Sequence, residues 1–341
     1  MTRRRRLLFA IAAIMLGASL TSVAVLAADL YVHHLARNSA GVNRWGYRGP
    51  VVPAKVPGEV RIVMVGGSTV FGYGGAWQEA PPARLEAELR SAHPDTTIHV
   101  VNLGYNNDGA FAAAPTLEDY RYLDYDVVVL YEGYNDRLGD FSPNTQVYRR
   151  QSVIFRLTGY SPILPMAFKE KARQLRGGDA DSGAPVFRPN LAARTSASAM
   201  EAANAVGEML GRQLEQLSEA PPSTRAYGTE CAPPWSHYCA VMVQATRYAR
   251  SVGARVLIVT QPIYPNEKNI REEGDQQAKL AAAIQAAFPG DRDVRFLDLS
   301  KGIDLSDPQV SFDTMHLTPQ GNGRLAQLML PAVEALVWQK Q

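Results

Sequence analysis

The segment Val60-Arg61-Ile62-Val63-Met64-Val65, followed by Gly66-Gly67-Ser68-Thr69, is the part of the sequence that decides the predicted fold. It is a short, nearly uninterrupted apolar run, rich in β-branched residues, and it ends in two glycines. Runs of this kind are typical of strands buried on both faces of a parallel sheet. We therefore predict an α/β fold in which Ser68 lies just past the carboxyl end of the first strand.

Predicted strands and helices alternate from residue 59 onward. Strands are expected at 60–65, 98–102, 127–131, 255–260 and 294–297, and helices at 82–92, 238–252, 272–288 and 321–338. Such alternation implies right-handed crossover connections and a parallel sheet with helices on both faces. In these sheets a ligand binds beyond the carboxyl ends of the strands. Ser68, Gly104 and Asn135 each follow a predicted strand, so we expect them at one edge of the sheet.

The N-terminal region carries a basic run, Arg3 to Arg6, directly before an uncharged apolar stretch at residues 7–28. A stretch of about 20 apolar residues is long enough to cross a membrane, and arginines on its N-terminal side favour a cytoplasmic N-terminus. Two interpretations stay open: an uncleaved membrane anchor, which the length favours, and a signal peptide cleaved near residues 25–27. In both cases the rest of the chain is expected outside the cytoplasm.

The predicted organisation has three parts. Residues 1–36 form the basic tip and the anchor or signal segment, residues 37–58 form a connector rich in Gly and Pro, and residues 59–341 form the main domain. An insertion at about 141–234 interrupts the alternation, with a polar stretch at 176–183 and an amphipathic helix predicted near 197–217. Long insertions are often functional, so this one is interpreted either as a partly helical lid over the site or as a surface addition.

Composition and cysteine content exclude several functions. Net charge is +2, and the basic residues form no patch interleaved with aromatic residues, so no nucleic-acid partner is expected. Cys231 and Cys239 are expected either to form a disulfide, which an oxidising compartment permits, or to be free thiols. His237 lies between them, but a structural zinc requires four ligands, so no metal is predicted.

Gly66-Gly67 belongs to no phosphate-binding or dinucleotide-binding motif, so no cofactor is predicted. The Gly-x-Ser-x-Gly elbow is also absent, because Val70 occupies the place of its last glycine.

Ser68, His316 and Asp313 have the residue types of a nucleophilic serine site. A serine hydroxyl becomes reactive when a base removes its proton. His316 is the candidate base, and Asp313 can accept a hydrogen bond from the other imidazole nitrogen and fix the orientation of the ring. The alternative is a loop histidine capped by Asp313.

Three groups are candidates for holding the oxyanion that forms during acyl transfer. They are the N–H of Ser68, the N–H of Gly104 and the side-chain amide of Asn135. Taken singly, Gly104 is equally well explained as a turn glycine and Asn135 as part of a turn-forming Asn-Asp pair. Their common position at one edge of the predicted sheet favours a site.

The combined motifs resemble the SGNH (GDSL-like) hydrolase superfamily. The segments that carry the resemblance are Gly66-Gly67-Ser68-Thr69, Asn102-Leu103-Gly104, Gly133-Tyr134-Asn135-Asp136 and Asp313-Thr314-Met315-His316. The resemblance implies a flavodoxin-like three-layer α/β/α sandwich that needs no metal. It also implies Ser68 as nucleophile, His316 as base with Asp313 orienting it, and Ser68, Gly104 and Asn135 as the oxyanion hole. Gly67 departs from the family's usual aspartate before the serine and looks like a Gly-Gly-Ser-Thr variant.

The resemblance and the expected location together favour an extracytoplasmic serine esterase that hydrolyses acyl esters, most simply O-acetyl groups, on cell-envelope or exopolysaccharide glycans. The expected partners are an acylated small molecule or glycan as substrate and a membrane that holds the N-terminal helix. Two other hypotheses stay open: an O-acyltransferase that passes the acyl group to a sugar hydroxyl, and a non-catalytic envelope-binding protein. A lipase is less favoured, because no long apolar segment besides the N-terminal one suits a lipid surface.

Overall fold

The computed structural model describes residues 2–106, 108–137, 153–164 and 231–338. Their contacts divide them into two compact units. The first contains residues 2–39 and 161–164, and the second contains the other described residues between 40 and 338. The predicted polar stretch at 176–183 and the predicted helix near 197–217 lie outside the described residues.

Helix α1, Arg3–Ala40, supplies most of the first unit. Its part from Arg3 to Asn38 is long and apolar enough to cross a membrane, and an 18-residue window within it has a mean hydropathy of 2.2. An N-terminal apolar helix is therefore confirmed, and a membrane anchor and a signal sequence both fit it. Towards its C-terminal end, Asp29 Oδ1 accepts hydrogen bonds from Ile163 N–H (3.0 Å) and Leu164 N–H (2.7 Å).

The second unit contains a parallel sheet, which has five strands within the described residues. They are β1 Val60–Gly66, β2 Ile98–Asn102, β3 Val127–Tyr131, β4 Arg255–Val259 and β5 Val294–Leu297. Their spatial order is β2-β1-β3-β4-β5, and every neighbouring pair is parallel. This is the order of flavodoxin-like folds, so the predicted parallel α/β sheet is confirmed.

Helices cover both faces of the sheet. In chain order the described helices after α1 are α2 Ser68–Phe71, α3 Pro81–Ala92, α4 Ala113–Asp119, α5 Val153–Thr158, α6 Ser236–Ser251, α7 Glu267–Ala287 and α8 Pro319–Val337. Alternate strand residues point to opposite faces. Val63 and Leu130 belong to a core with α4, α6 and α7, whereas Ile62 and Val129 belong to a second core with α3 and α8. The three-layer α/β/α sandwich is thereby confirmed.

Polar capping residues start two helices earlier than apolar periodicity predicts. Helix α7 begins at Glu267 instead of residue 272, because the side chain of Asn266 accepts a first-turn N–H at 2.8 Å. Helix α8 begins at Pro319 instead of residue 321, because Thr318 Oγ1 accepts Gly321 N–H at 3.2 Å. Proline suits this start, since its missing N–H would have no helical partner.

Residues 40–49, which the sequence places in the connector, lie in the second unit. Asn43, Tyr47 and Arg48 are buried. Arg48 N–H donates to Asn102 O at 3.1 Å, which joins this segment to the carboxyl end of β2. The domain limits at 36/37 and 58/59 stay predictions.

Cys231 and Cys239 form a disulfide at the start of α6, with their Cα atoms 6.1 Å apart. Of the two alternatives that the sequence leaves open, the structure contains the cross-link. Closing a short loop in the unfolded chain stabilises the folded state by about 2–3 kcal/mol in the chain-entropy treatment.

Candidate active site

Four turns meet at the carboxyl edge of the sheet. Helix α2 begins at Ser68 directly after β1, residues 103–106 and 108–109 follow β2, and a 3₁₀ turn, Tyr134–Arg137, follows β3. The fourth turn, residues 311–317, precedes α8. Parallel strands bring their carboxyl ends to one edge, so Ser68 and His316 become neighbours although 248 positions separate them.

Ser68, His316 and Asp313 form one hydrogen-bonded chain. Ser68 Oγ lies 2.7 Å from His316 Nε2, and His316 Nδ1 lies 2.6 Å from Asp313 Oδ2. With the proton on Nδ1 facing Asp313, Nε2 is free to accept the serine proton. The Ser68 residue is 9% exposed, so its hydroxyl lies in a mostly enclosed position.

The second carboxylate oxygen of Asp313 holds the turn that carries His316. Asp313 Oδ1 accepts Met315 N–H at 3.1 Å and His316 N–H at 2.7 Å. Partial burial raises the pKa of Asp313, but the hydrogen bonds from His316 and Met315 outweigh it and leave the pKa below its usual value. Thr314 adopts φ 67°, a left-handed conformation that is unfavourable for a β-branched residue. These hydrogen bonds thus keep a tight, strained turn and an ionised Asp313.

Two aromatic side chains flank the imidazole ring of His316. The ring centroid of Tyr73 lies 4.9 Å from it, and that of Phe312 lies 5.8 Å from it. Tyr73 is 49% exposed and Phe312 is 50% exposed. The Ser68–His316 pair therefore has apolar surface beside it that is open to a ligand.

The amide of Asn135 lies close to the backbone that precedes Ser68. Asn135 Nδ2 donates to Asp108 O at 2.6 Å. A Cβ atom at residue 67 would lie 2.5 Å from Asn135 Nδ2 and 2.6 Å from Asp108 O, which is too close for any residue but glycine. Gly67, the departure from the family's usual aspartate, therefore lets the Asn135 amide approach the Ser68 turn.

Gly104 packs against the backbone of α2, and its N–H already has a partner. A Cβ atom here would lie 2.5 Å from Phe71 N and 2.7 Å from Val70 Cβ. Gly104 N–H donates to Asn102 Oδ1 at 3.0 Å. Among the residues predicted from the sequence, Ser68, His316, Asp313 and Asn135 come together, whereas the N–H of Gly104 points to Asn102. The oxyanion role of Gly104 stays a prediction, and it requires this hydrogen bond to be shared or broken.

Gln261, which sequence reasoning missed, joins two of the four turns. Its Oε1 accepts Tyr134 N–H at 2.6 Å, and its Nε2 donates to Thr69 Oγ1 at 3.0 Å. A second amide, Gln276 Nε2, donates to Gly133 O at 3.1 Å. The signal that would have found Gln261 is its position, since a polar residue two positions after β4 lies at the same edge as the other motifs.

Buried carboxyl groups lie behind these turns. Asp136 accepts Ala110 N–H at 3.0 Å, and burial raises its pKa to about 7. Burial, with the neighbouring Asp136 and Asp108 carboxylates, raises the pKa of Glu132 well above its usual value, while a hydrogen bond from Gly67 N–H acts in the opposite direction. Within the described ranges, no group of three or more His, Cys, Asp or Glu side chains has the arrangement of a metal site.

Comparisons with known proteins relate this site to a family. The model of the GDSL-like Lipase/Acylhydrolase family matches residues 64–324. Similar solved structures include a protein of the G-D-S-L family from Desulfitobacterium hafniense DCB-2, at 13% identity and TM-score 0.41, covering 80% of this chain and 99% of that one. Another is Axe2, an acetylxylan esterase from Geobacillus stearothermophilus, at 12% identity and TM-score 0.44, covering 83% and 98%. A search among curated proteins finds no match.

The family match begins within β1 and ends within α8, so it includes all four turns of the site. It spans most of the chain and agrees with the parallel sheet and the order of the four sequence motifs. The chain belongs to the GDSL-like lipase/acylhydrolase family and is a carboxylic ester hydrolase of the SGNH type.

Proposed function

We propose that the protein hydrolyses acyl esters through an acyl-enzyme on Ser68, with His316 as general base and acid and Asp313 as the residue that orients His316. The observation that carries this proposal is the continuous chain from Ser68 Oγ to His316 Nε2 at 2.7 Å and from His316 Nδ1 to Asp313 Oδ2 at 2.6 Å. Both separations are within the range of strong hydrogen bonds.

In the first half-reaction, Ser68 Oγ attacks the ester carbonyl carbon while His316 Nε2 takes the hydroxyl proton. The carbonyl oxygen becomes an oxyanion in the tetrahedral intermediate. When the intermediate collapses, the bond to the alcohol oxygen breaks and His316 gives its proton to that oxygen. The alcohol leaves, and the acyl group stays on Ser68.

In the second half-reaction, a water molecule attacks the acyl-enzyme while His316 takes one of its protons. Collapse of the second tetrahedral intermediate returns that proton to Ser68 Oγ and releases the carboxylic acid. Asp313 stays ionised throughout and stabilises the imidazolium that forms in each step. Its lowered pKa and its two backbone hydrogen bonds support that role.

The oxyanion is proposed to bind the N–H of Ser68 and the amide of Asn135. Asn135 Nδ2 has two protons, and Asp108 O accepts one of them, so the other is available to a ligand. Donors fixed before the reaction stabilise the developing charge without reorganisation. Gln261 hydrogen-bonds to both Thr69 and Tyr134, so it fixes the turn of Ser68 relative to the turn of Asn135.

The proposed substrates are O-acetyl esters on glycans outside the cytoplasm. The basic residues Arg3 to Arg6 at the start of α1 favour a cytoplasmic N-terminus for an inserted helix, which would leave the site on the other side of the membrane. The half-exposed rings of Tyr73 and Phe312 offer apolar contact to the part of the substrate that carries the ester.

The test is intact-mass analysis of the full chain in detergent micelles after reaction with a fluorophosphonate probe. We expect one adduct on the wild type and none on Ser68→Ala. Ser306→Ala is the matched control, because Ser306 Oγ donates to a carboxylate, Asp304 Oδ1, instead of contacting a histidine. It should be labelled like the wild type.

Acetate release from acetylated oligosaccharides then tests the substrate class. A folded wild-type protein without an adduct would contradict the nucleophile role and favour envelope binding. Transfer of acetyl to an added sugar in preference to water would contradict hydrolysis and favour an acyltransferase. Release from long-chain p-nitrophenyl esters only would contradict the acetyl assignment.

A further inference from the structure

Arg48 is a buried cation that lies outside all four motifs. It is 5% exposed, and its guanidinium Cζ lies 4.2 Å from the centroid of the Phe71 ring. Within the described part of the chain no carboxylate pairs with it, and burial lowers the pKa of Arg48 to about 10. Because burying an unpaired charge is unfavourable, such a residue is expected to be retained for a specific contact.

Backbone carbonyl groups accept the hydrogen bonds of this guanidinium group. Nε donates to Ala40 O at 2.8 Å, Nη1 to Gly72 O at 2.9 Å and to Phe71 O, and Nη2 to Gly75 O at 2.6 Å. Three of the four carbonyls belong to the last residue of α2 and the loop that follows it. One planar side chain therefore fixes the end of the turn that begins at Ser68.

Helix α2 needs this external support because it has only four residues. Forming a single turn fixes many dihedral angles for few hydrogen bonds, and the carbonyls at its end have no partner inside the helix. Arg48 donates to these carbonyls, at the end of a helix where a positive charge is favourable. Gly72 fits the arrangement: its φ is 80°, and a Cβ there would lie 3.0 Å from Arg48 Nη1.

Asn102, the last residue of β2, also donates to carbonyl groups at the end of α2. Its Nδ2 donates to Val70 O at 3.0 Å and to Phe71 O at 3.3 Å. Arg48 N–H in turn donates to Asn102 O at 3.1 Å. The end of α2 is therefore held by the side chains of two residues whose backbones are hydrogen-bonded to each other.

We propose that Arg48 is a positioning residue for Ser68: by binding the carbonyls at the end of α2, it keeps Ser68 Oγ within hydrogen-bonding distance of His316 Nε2. This inference rests on the proposed role of Ser68 as nucleophile. Misplacing a reacting atom by about 1 Å can lower a rate about 10²-fold. Lysine cannot replace Arg48, because a single ammonium group does not reproduce the planar fork of donors.

The test compares Arg48→Lys with Arg61→Lys in the full chain in detergent micelles. Arg61 is the matched control because it is also buried, at 1% exposure, and donates to backbone oxygens, Leu123 O at 2.9 Å and Pro53 O at 3.0 Å. It lies at the amino end of β1, opposite the site. The measurements are Tm, the labelling rate with a fluorophosphonate per folded molecule, and kcat and KM on p-nitrophenyl acetate.

We expect Arg48→Lys to stay folded and to lose about 10²-fold in kcat and in labelling rate, with little change in KM. Added ethylguanidinium should restore labelling of Arg48→Ala, because it returns the planar donors to the empty place. Arg61→Lys should lower Tm and keep the kcat of the wild type per folded molecule.

Three results would overturn the role of Arg48. They are an unchanged kcat in Arg48→Lys, equal losses of kcat in both lysine variants, and complete unfolding of Arg48→Lys where Arg61→Lys stays folded. The last would show that Arg48 supports the whole domain and not this turn. A folded wild type that is not labelled at all would instead overturn the proposed function of Ser68.

Discussion

The two ends of the central sheet handle buried charge in different ways. At the amino end, Arg61 pairs with Glu59 at 2.5 Å and its N–H donates to Asp126. At the carboxyl end, Arg48 faces carbonyl oxygens, and Asp136 keeps its proton to about pH 7. Paired charges are typical of structural sites, whereas perturbed ionisable groups gather where chemistry takes place. Substitutions at the amino end should therefore mainly change stability, and those at the carboxyl end should mainly change the catalytic rate.

The largest expected effect is at the carboxyl end. His316→Ala removes the only base in contact with Ser68 Oγ among the described residues, so kcat should fall by about 10⁴-fold or more. Asp313→Ala should lower kcat less, because the Asp313 carboxylate orients the base without accepting the serine proton. Initial rates on p-nitrophenyl acetate, with Tm as the measure of folding, check both. Equal losses in the two variants would mean that Asp313 does more than orient His316.

The amino end should respond in the opposite way. Glu59→Gln leaves the Arg61 charge buried without its partner, which typically costs about 3–5 kcal/mol of unfolding free energy. Denaturant unfolding measures that loss, and kcat per folded molecule should stay that of the wild type. A fall in kcat without a loss of stability would break the distinction between the two ends.

Two asparagines test whether an amide near Ser68 affects the rate more than an amide elsewhere in the domain. If the Asn135 amide binds the oxyanion, kcat should fall by about 10²–10³-fold. Asn322→Ala is the matched control, because Asn322 Nδ2 likewise donates to a backbone oxygen, Glu79 O at 2.9 Å, away from Ser68. It should lower Tm without lowering kcat. Near-normal turnover of Asn135→Ala would contradict the oxyanion role.

The smallest expected effect concerns pH. Folded Asp136 releases its proton near pH 7, whereas unfolded aspartate releases it near pH 3.8. Between these values the folded state binds more protons, so the free energy of unfolding falls as pH rises. Asp136→Asn keeps an oxygen for Ala110 N–H and removes this titration, so Tm should fall less steeply from pH 4 to pH 7.

Glu273 titrates in the same window, because burial raises its pKa to about 7 against the opposing effect of Arg137. The slope of Tm against pH should therefore become shallower in Asp136→Asn without disappearing. Asp304→Asn is the control, since hydrogen bonds from Ser306 lower the pKa of Asp304 and place its titration below this window. Identical slopes in wild type and Asp136→Asn would contradict the assignment of a buried, protonated Asp136.

The parts of the fold that could be predicted are those with a local signal. The strands at 98–102, 127–131 and 294–297 have the predicted limits, because short apolar runs bounded by polar turns mark them. The start of α7 was predicted five residues too late, since its first turn after Asn266 is polar and carries no apolar period. Capping by one side chain decides such a boundary, and periodicity does not report it.

The residues of the site also differ in how far the sequence predicts them. The proximity of Ser68 and His316 could be predicted, because each belongs to a motif at a predicted strand end or loop. The Gly104 N–H could not be assigned, because its partner is the side chain of Asn102, and a strand pattern does not reveal where a single amide points. Arg48 was equally hidden, since its partners at 71–75 are backbone carbonyls, which have no sequence signature.

Arg48 lies between α1 and β1, so a cut in the chain near it would decide whether it stays with the domain. A proteolytic cut before Ala40 would free a domain that keeps Arg48 and all of its described hydrogen bonds to α2 and Ala40. A cut after Gly49 would free a domain with the same sheet, the same serine and the same histidine, but with the end of α2 held by Asn102 alone. The site of cleavage, and not cleavage itself, would then set the catalytic rate of the released domain.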